Sequence, residues 1–306
     1  ALFEELGATH LVLRTPHVGF LTEATRRRIP VLPSFADIFS SSGFRGRYRN
    51  LRLRRALIQS KAPCFANHSL NASLSLNEIL NLPRDMIVPW DWTRIPVVNQ
   101  TKSQVLDTSM PTAFFAGKIS ADKGVGDCLE AIALLRRSNV ELKMSFAGPG
   151  EVSGWMNRAA QLGITKQVKF MGVIANSEVR NQMYKNDFVV VPSRHSYSEG
   201  LPNTIYEGLA SRSALIISDH PAFAGRLKPD KECLVFKAAD PESLAASIQR
   251  GTKDNLLYEQ LSRNSVDAHD QLYLGVEWTS LVSSFIKDPT NRTSWVEQSS
   301  LKSLGY

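Results

Sequence analysis

The sequence has no long hydrophobic run. Its most apolar stretches, such as FVVVP at 188–192, fall far short of the ~20 residues needed to cross a bilayer. The opening ALFEELGATH has neither the basic start nor the apolar core of a secretory signal, so a cytoplasmic protein is expected. Cysteine is scarce too. Cys64, Cys128 and Cys233 are odd in number and far apart, which excludes a complete disulfide set and lacks the close pairing of a zinc site. Buried thiols are the expectation. Sequons begin at Asn67, Asn71, Asn99 and Asn291, but without a secretion signal they read as chance matches.

The composition is otherwise that of a folded protein, with 43% hydrophobic and 21% charged residues. At 306 residues the chain exceeds what one hydrophobic core usually supports, so two domains are expected. The net charge of +7 is uneven: Arg26, Arg27, Arg28, Arg45, Arg47, Arg49, Arg52, Arg54 and Arg55 fall in TRRRIP and RGRYRNLRLRR. These residues have two readings. One is a solvated, salt-bridged face. The other is a surface for anionic lipid head groups or a lipid diphosphate acceptor, each cation near a membrane being worth ~1 kcal/mol, which would put the protein at the inner face of the membrane. A pI near 9.4 raises nucleic acid as a partner. Phe44 and Tyr48 are the run's only aromatics, so no stacking platform accompanies it and no nucleic-acid partner is expected.

Strand and helix patterns alternate along the chain, which argues for parallel sheets with crossover helices. HLVLRTP, PVLPSFADIF, SKAPCFANHS and MIVPWDW read as strands of a first domain, with helices over Asn50–Gln59 and Leu70–Leu80. The polar NQTKSQVLDTSMP at 99–111 is the linker candidate. Beyond it, TAFFAGK, LKMSFAGPGE, VKFMG, DFVVVPS, ALIISD and ECLVF are about six strands, with helices between them. That is a doubly wound domain, whose ligand belongs beyond the carboxyl ends of the strands.

Three of those ends carry chemistry. Lys118 follows one strand and Lys123 opens the next helix; two ammonium groups beside a helix start suit a diphosphate, although lysines in such loops are more often plain surface charges. Gly148 and Gly150 in AGPGE would let a ligand approach the backbone, or mark an ordinary turn. In SYSEGLPNTIYEGLAS, Pro202 is expected to open a helix, with Glu199 on the loop before it and Glu207 about five residues into it. The backbone amides near Gly200, Leu201, Asn203 and Thr204 would favour an anion. A diphosphate with a hydroxyl-bearing ring at either end, as in a nucleotide sugar, fits that layout. A helix cap plus a surface charge is the plainer alternative.

FAGKISADKG, FAGPGE, VKFMGVI, DFVVVPSRHSYSEGLPNTIYEGLA and ALIISDHPAFAG resemble, in order and spacing, the nucleotide-binding half of family 4 (group 1) retaining glycosyltransferases. The signature is E-x7-E, and the resemblance is strong over 112–250. It implies an α/β protein of two Rossmann-like domains facing a cleft, the GT-B fold. The domains are expected at 1–100, 101–275 and, as a terminal helix crossing back plus a tail, 276–306. By this resemblance Lys123 binds the diphosphate, Lys118 stands where an arginine is common, Glu199 approaches the transferred sugar and Glu207 the ribose. No metal or other cofactor is implied, and the sequence has no Asp-x-Asp pair. His17 and Asp37 are acceptor-side candidates.

The chain departs from the family in several places. Ala36 occupies the place where many members have a histidine near the reacting sugar, and the usual Asn-Gly after the third strand is missing. AMAxG reads LASRS at 209–213, and HPAFAGRL lacks a common glutamate. Nothing before His10 resembles the family's first strand and glycine-rich loop, so an incomplete N-terminal domain is expected. The implied reaction moves a sugar from a nucleoside-diphosphate sugar to an acceptor hydroxyl, saccharide or lipid-linked, with retention. It runs by front-side departure, the leaving phosphate taking the acceptor proton. The alternatives are a sugar-nucleotide epimerase or phosphorylase of the same architecture, and a non-catalytic module that binds nucleotide sugars or membranes.

Overall fold

The computed structural model describes residues 2–41, 43–274, 276–289 and 294–306; the sequon at Asn291 lies outside them. The chain forms two compact units. One comprises Ala1–Arg94, Ser198–Leu201 and Tyr273–Tyr306, the other Ile95–Tyr197 and Pro202–Leu272.

The first unit runs α1 (Leu2–Glu5), β1 (Leu11–Leu13), α2 (Val18–Arg27), β2 (Val31–Phe35), α3 (Gly43–Gln59), β3 (Phe65–His68), α4 (Leu70–Leu80) and β4 (Ile87–Trp90). Its four strands pair in parallel in the order β1-β2-β3-β4. Pro33 lies inside β2, yet it costs the ladder little. Pairing with β1 ends at Leu13↔Pro33 and pairing with β3 begins at Ser34↔Ala66, so the missing N–H falls at the hand-over. Successive side chains of β2 point to opposite faces. Val31 and Phe35 join Leu21, Leu53, Leu57, Phe65 and Leu76 in one core. Leu32 joins Cys64, Ala66, Val88 and Trp90 in another, closed by Leu281 and Phe285 of the helix Trp278–Lys287.

α3 begins at Gly43, a full two turns before the expected Asn50. The arginine-rich region is not one face. Arg26 and Arg27 of α2 are neutralised by Glu23 at 2.6 and 2.5 Å, and Arg27 also reaches Glu4 at 2.7 Å. Arg28 ends α2 in a left-handed backbone conformation. The remaining six arginines lie on α3.

The second unit runs β5 (Thr112–Ala116), α5 (Val125–Arg137), β6 (Lys143–Ala147), α6 (Ser153–Gln161), β7 (Val168–Gly172), α7 (Asn176–Lys185), β8 (Phe188–Val191), α8 (Asn203–Ala210), β9 (Ala214–Ser218), β10 (Leu234–Phe236), α9 (Pro241–Lys253) and α10 (Asn255–Leu272). Its parallel sheet has six strands in the order β10-β9-β8-β5-β6-β7. The chain therefore winds from β5 out to β7, then returns beside β5 and winds the other way from β8. The point of reversal lies between β5 and β8, where an open α/β sheet offers a crevice to ligands.

The polar stretch 99–111 is not a free linker. The Lys102 ammonium donates to Asn186 O at 2.6 Å and Ser213 Oγ at 2.9 Å, and its amide donates to Ser262 Oγ at 2.9 Å. Val105 is buried. Burial lowers the Lys102 pKa to about 8. A lysine reads as solvated in sequence, but here its head group finds interior acceptors within the second unit.

Candidate functional site

At the reversal point β5 and β8 end side by side, and the loop after β5 carries both candidate lysines. Lys118 is exposed, whereas Lys123 is 8% exposed. The Lys123 ammonium lies 3.4 Å from Ser193 Oγ and 4.7 Å from the ring centroid of Tyr197, both on the loop after β8. That contact folds the cation over the strand ends.

α8 starts one residue later than expected. Pro202 has extended backbone and precedes the helix as its cap residue rather than opening it. The Thr204 hydroxyl donates to Ala116 O at 3.0 Å, which pins the first turn of α8 to the end of β5. Asn203 is exposed, and Glu207 sits half-buried in the second turn. Burial raises the Glu207 pKa, with the charge of Arg180 acting the other way.

Gly148 is half-buried and Gly150 exposed, and each turns the side where a Cβ would stand toward the loop after β5. A Cβ at 148 would lie 1.9 Å from Gly117 O, and one at 150 would lie 2.6 Å from Ile119 O. Both have φ near +145°, a region open chiefly to glycine. Their bare α-carbons admit the loop after β5, which bonds back through Gly117 N to Ala147 O and Ile119 N to Pro149 O, at 2.9 and 2.8 Å.

The other candidates lie in the first unit, just beyond the carboxyl ends of its strands. Glu199, Gly200 and Leu201 belong to this unit and are buried, so the two glutamates of E-x7-E are divided between the units. A Cβ on Gly200 would lie 2.6 Å from Ala36 O. That contact allows no side chain and fixes the backbone next to Glu199. Asp37, half-buried after β2, has its pKa raised by burial; Arg14 opposes the shift and Glu199 adds to it. Asp37 is positioned by Asn67, whose buried amide donates to Asp37 O at 3.0 Å and Ala72 O at 2.8 Å. Asn67 is thereby unavailable as a sequon. His17 caps α2, its Nδ1 accepting from Phe20 N at 3.2 Å while the rings pack at 4.6 Å. Among the described residues no cluster of three or more His, Cys, Asp or Glu is placed to hold a metal ion.

Comparison with known proteins bears on this arrangement. The family model described as glycosyl transferases group 1 matches residues 99–267, more than half of the chain. The chain belongs to this family. An uncharacterized glycosyltransferase of Methanocaldococcus jannaschii is 23% identical over 237 residues, 71% of this chain and 58% of its own length. Mannosylfructose-phosphate synthase of Agrobacterium fabrum is 22% identical over 186 residues, 58% of this chain and 40% of its own. The chain thus spans under two thirds of the curated relatives it matches. Anabaena HepE, solved in complex with UDP, superposes with a TM-score of 0.67 at 14% identity, covering 91% of this chain and 78% of that one. Likenesses of this kind show that the chain has the α/β GT-B glycosyltransferase fold, with two parallel sheets.

For a group 1 chain, the most prominent site residue that sequence reasoning missed is Arg14, directly after β1. Its guanidinium lies 4.6, 5.5 and 5.2 Å from the ring centroids of Trp90, Trp92 and Trp278. Trp90 and Trp278 are themselves oriented by indole N–H donation to Phe35 O and Ser34 Oγ, at 3.1 and 3.0 Å. Burial lowers the pKa of Arg14. His68 packs on Trp90 with ring centroids 4.7 Å apart and lies 3.8 Å from Asp91 Oδ1. Burial, then the charge of Arg14, pushes its pKa down to about 3, so the ring is neutral. The signals available were a lone arginine ending an apolar strand and the WDW tripeptide ending another.

Proposed function

We propose that this chain is a family 4 retaining glycosyltransferase, moving a sugar from a nucleoside-diphosphate sugar to an acceptor hydroxyl without a metal. One observation carries the reading: a buried ammonium, Lys123, at the reversal point of a parallel sheet, beside a helix start anchored to the same strand end. An ammonium and a helix start at that point suit a diphosphate lying beyond the strand ends. Membership of the group 1 family and the UDP bound by Anabaena HepE support the choice of ligand.

In this reading Lys123 and Lys118 hold the diphosphate and stabilise the charge that grows on it as the glycosidic bond breaks. The leading amides of α8 add donors. Glu207 accepts from the ribose hydroxyls and Glu199 from those of the transferred sugar. The acceptor hydroxyl attacks from the face the phosphate leaves, and the phosphate oxygen takes its proton. Asp37 and Arg14 lie on the acceptor side, in saccharide or glycolipid assembly. Incubation with uridine, guanosine, adenosine and thymidine diphosphate sugars, with and without chelator, tests this. Release of nucleoside diphosphate that needs Glu199 and survives chelation is expected, with the product anomer retained by NMR. A changed sugar without release would mark an epimerase, and binding with neither would mark a non-catalytic module.

A further inference from the structure

The outer face of α3 combines exposed apolar side chains with arginines. Its buried stripe is Asn50, Leu53, Ala56 and Leu57. At 100° per residue, the positions diametrically opposite are Phe44, Tyr48, Leu51, Arg55 and Ile58. Four of those five are apolar or aromatic and stand in the open, Phe44 at 88%, Leu51 at 61%, Tyr48 at 58% and Ile58 at 47% exposure. The same arithmetic places Arg47 and Arg54 along one flank of this ridge and Arg45, Arg49 and Arg52 along the other. The helix GFRGRYRNLRLRRALIQ contains no acidic residue. None of its six arginines is in an ion pair among the described residues, in contrast to Arg26 and Arg27 of α2.

We infer that α3 docks the protein on an anionic lipid bilayer, lying in the plane of the surface with Phe44, Tyr48, Leu51 and Ile58 in the interfacial layer and the arginines on head-group phosphates. A helix with an apolar ridge between two basic flanks is the arrangement that gains from both regions of a lipid interface at once. From Phe44 to Ile58 the ridge runs ~21 Å at 1.5 Å per residue, enough to contact several head groups. Charge complementarity selects this occupant over the others. A second copy of the chain packing on the same face would set arginine against arginine with no acid to separate them. A nucleic acid would satisfy the arginines but leave Leu51, Ile58 and Phe44 against a charged backbone. The proposal concerns a surface of the first unit and does not depend on the glycosyl-transfer reading.

The test is co-sedimentation of the full chain with phosphatidylcholine vesicles, with and without phosphatidylglycerol, at low and high salt. Binding is expected only with phosphatidylglycerol, and is expected to fall as salt screens the arginines. The double variant Arg45→Gln, Arg52→Gln should lower the partition coefficient roughly 30-fold, two charges at about five-fold each. Phe44→Ser with Leu51→Ser should weaken binding while leaving its salt dependence in place. Both pairs are exposed, so unchanged thermal unfolding is the folding control, and Arg26→Gln, on the paired helix, should bind as wild type. Four results would overturn the inference: no binding to either vesicle, equal binding to both, displacement by an oligonucleotide with the serine variant unaffected, or a dimer that the serine variant dissociates.

Discussion

Replacing Lys123 by methionine removes the ammonium and keeps the length of the side chain, so it separates a diphosphate-binding role from a structural one. The contacts of the ammonium include a Ser193 hydroxyl at 3.4 Å, the long end of a hydrogen bond, and the face of Tyr197 at 4.7 Å. Such contacts are worth about 1 kcal/mol each, and the wild type alone bears the cost of desolvating the cation. The two effects oppose each other, so Lys123→Met should change the stability of the free protein by no more than about 2 kcal/mol, a few degrees in Tm for a protein of this size. In the proposed reaction the transition state is different, because there the same ammonium would face a diphosphate gaining negative charge. Losing one such donor costs ~3 kcal/mol, or 10²–10³ in kcat.

The assay pairs the rate of nucleoside diphosphate release with thermal shift on adding nucleoside diphosphate. In the wild type, ligand at about 100 times its Kd should add ~2.7 kcal/mol of stability, and Lys123→Met should lose most of that increment. Turnover within ten-fold of wild type, with the shift intact, would refute the assignment. So would a large fall in Tm with activity merely following the folded fraction.

Two buried groups should give pH dependences of opposite sign. The Glu207 pKa is raised above its ordinary 4.5, so the folded state holds that proton more tightly. The stability this gives is full below pH 4.5 and is lost as pH rises through the raised value. Glu207→Gln should abolish that slope in urea melts, and parallel profiles would show the carboxylate to be well solvated. His68 is depressed from 6.5 to about 3, so its contribution is present above pH 6.5 and is lost as pH falls toward 3, at up to ~1.4 kcal/mol per unit. His68→Asn should flatten the acid limb of the stability profile; an unchanged slope would mean that the imidazole already carries its proton. Gly148→Ala places a Cβ 1.9 Å from Gly117 O at φ +145°, and should cost more than ~2 kcal/mol or prevent folding of the second unit. A variant with wild-type Tm would mean that β5 and β6 do not end in such close contact.

The fold was legible because it rests on local signals. Apolar strands of four or five residues, helices at 3.6-residue spacing and turn glycines recur in the order of a doubly wound sheet. The same signals put Lys123 in the loop beyond one strand and Glu207 in the helix that follows another. What could not be read depends on partners distant in the chain. Gly148 looks the same in sequence whether its bare face meets a ligand or the carbonyl of Gly117. Lys102 looks solvated until the Asn186 and Ser213 acceptors are brought to it. Arg14 becomes a site residue only when Trp90, Trp92 and Trp278 converge on it. The start of α3 was missed for a different reason: its exposed Phe44, Tyr48 and Leu51 break the usual rule that the apolar stripe of a helix faces the core.

Each of the two glutamates lies close in sequence to a backbone anchor within its own unit. Gly200 is pressed on the carbonyl of Ala36 in the first unit, with no room for a side chain. Thr204 is bonded to the carbonyl of Ala116 in the second. Glu199 is adjacent to the first anchor, and Glu207 lies three residues beyond the second, about one turn along α8. The motif is better described as two backbone clamps with an acid on each than as a pair of interacting acids. A change at Gly200 or Thr204 should therefore disturb the chemistry of a glutamate it does not replace.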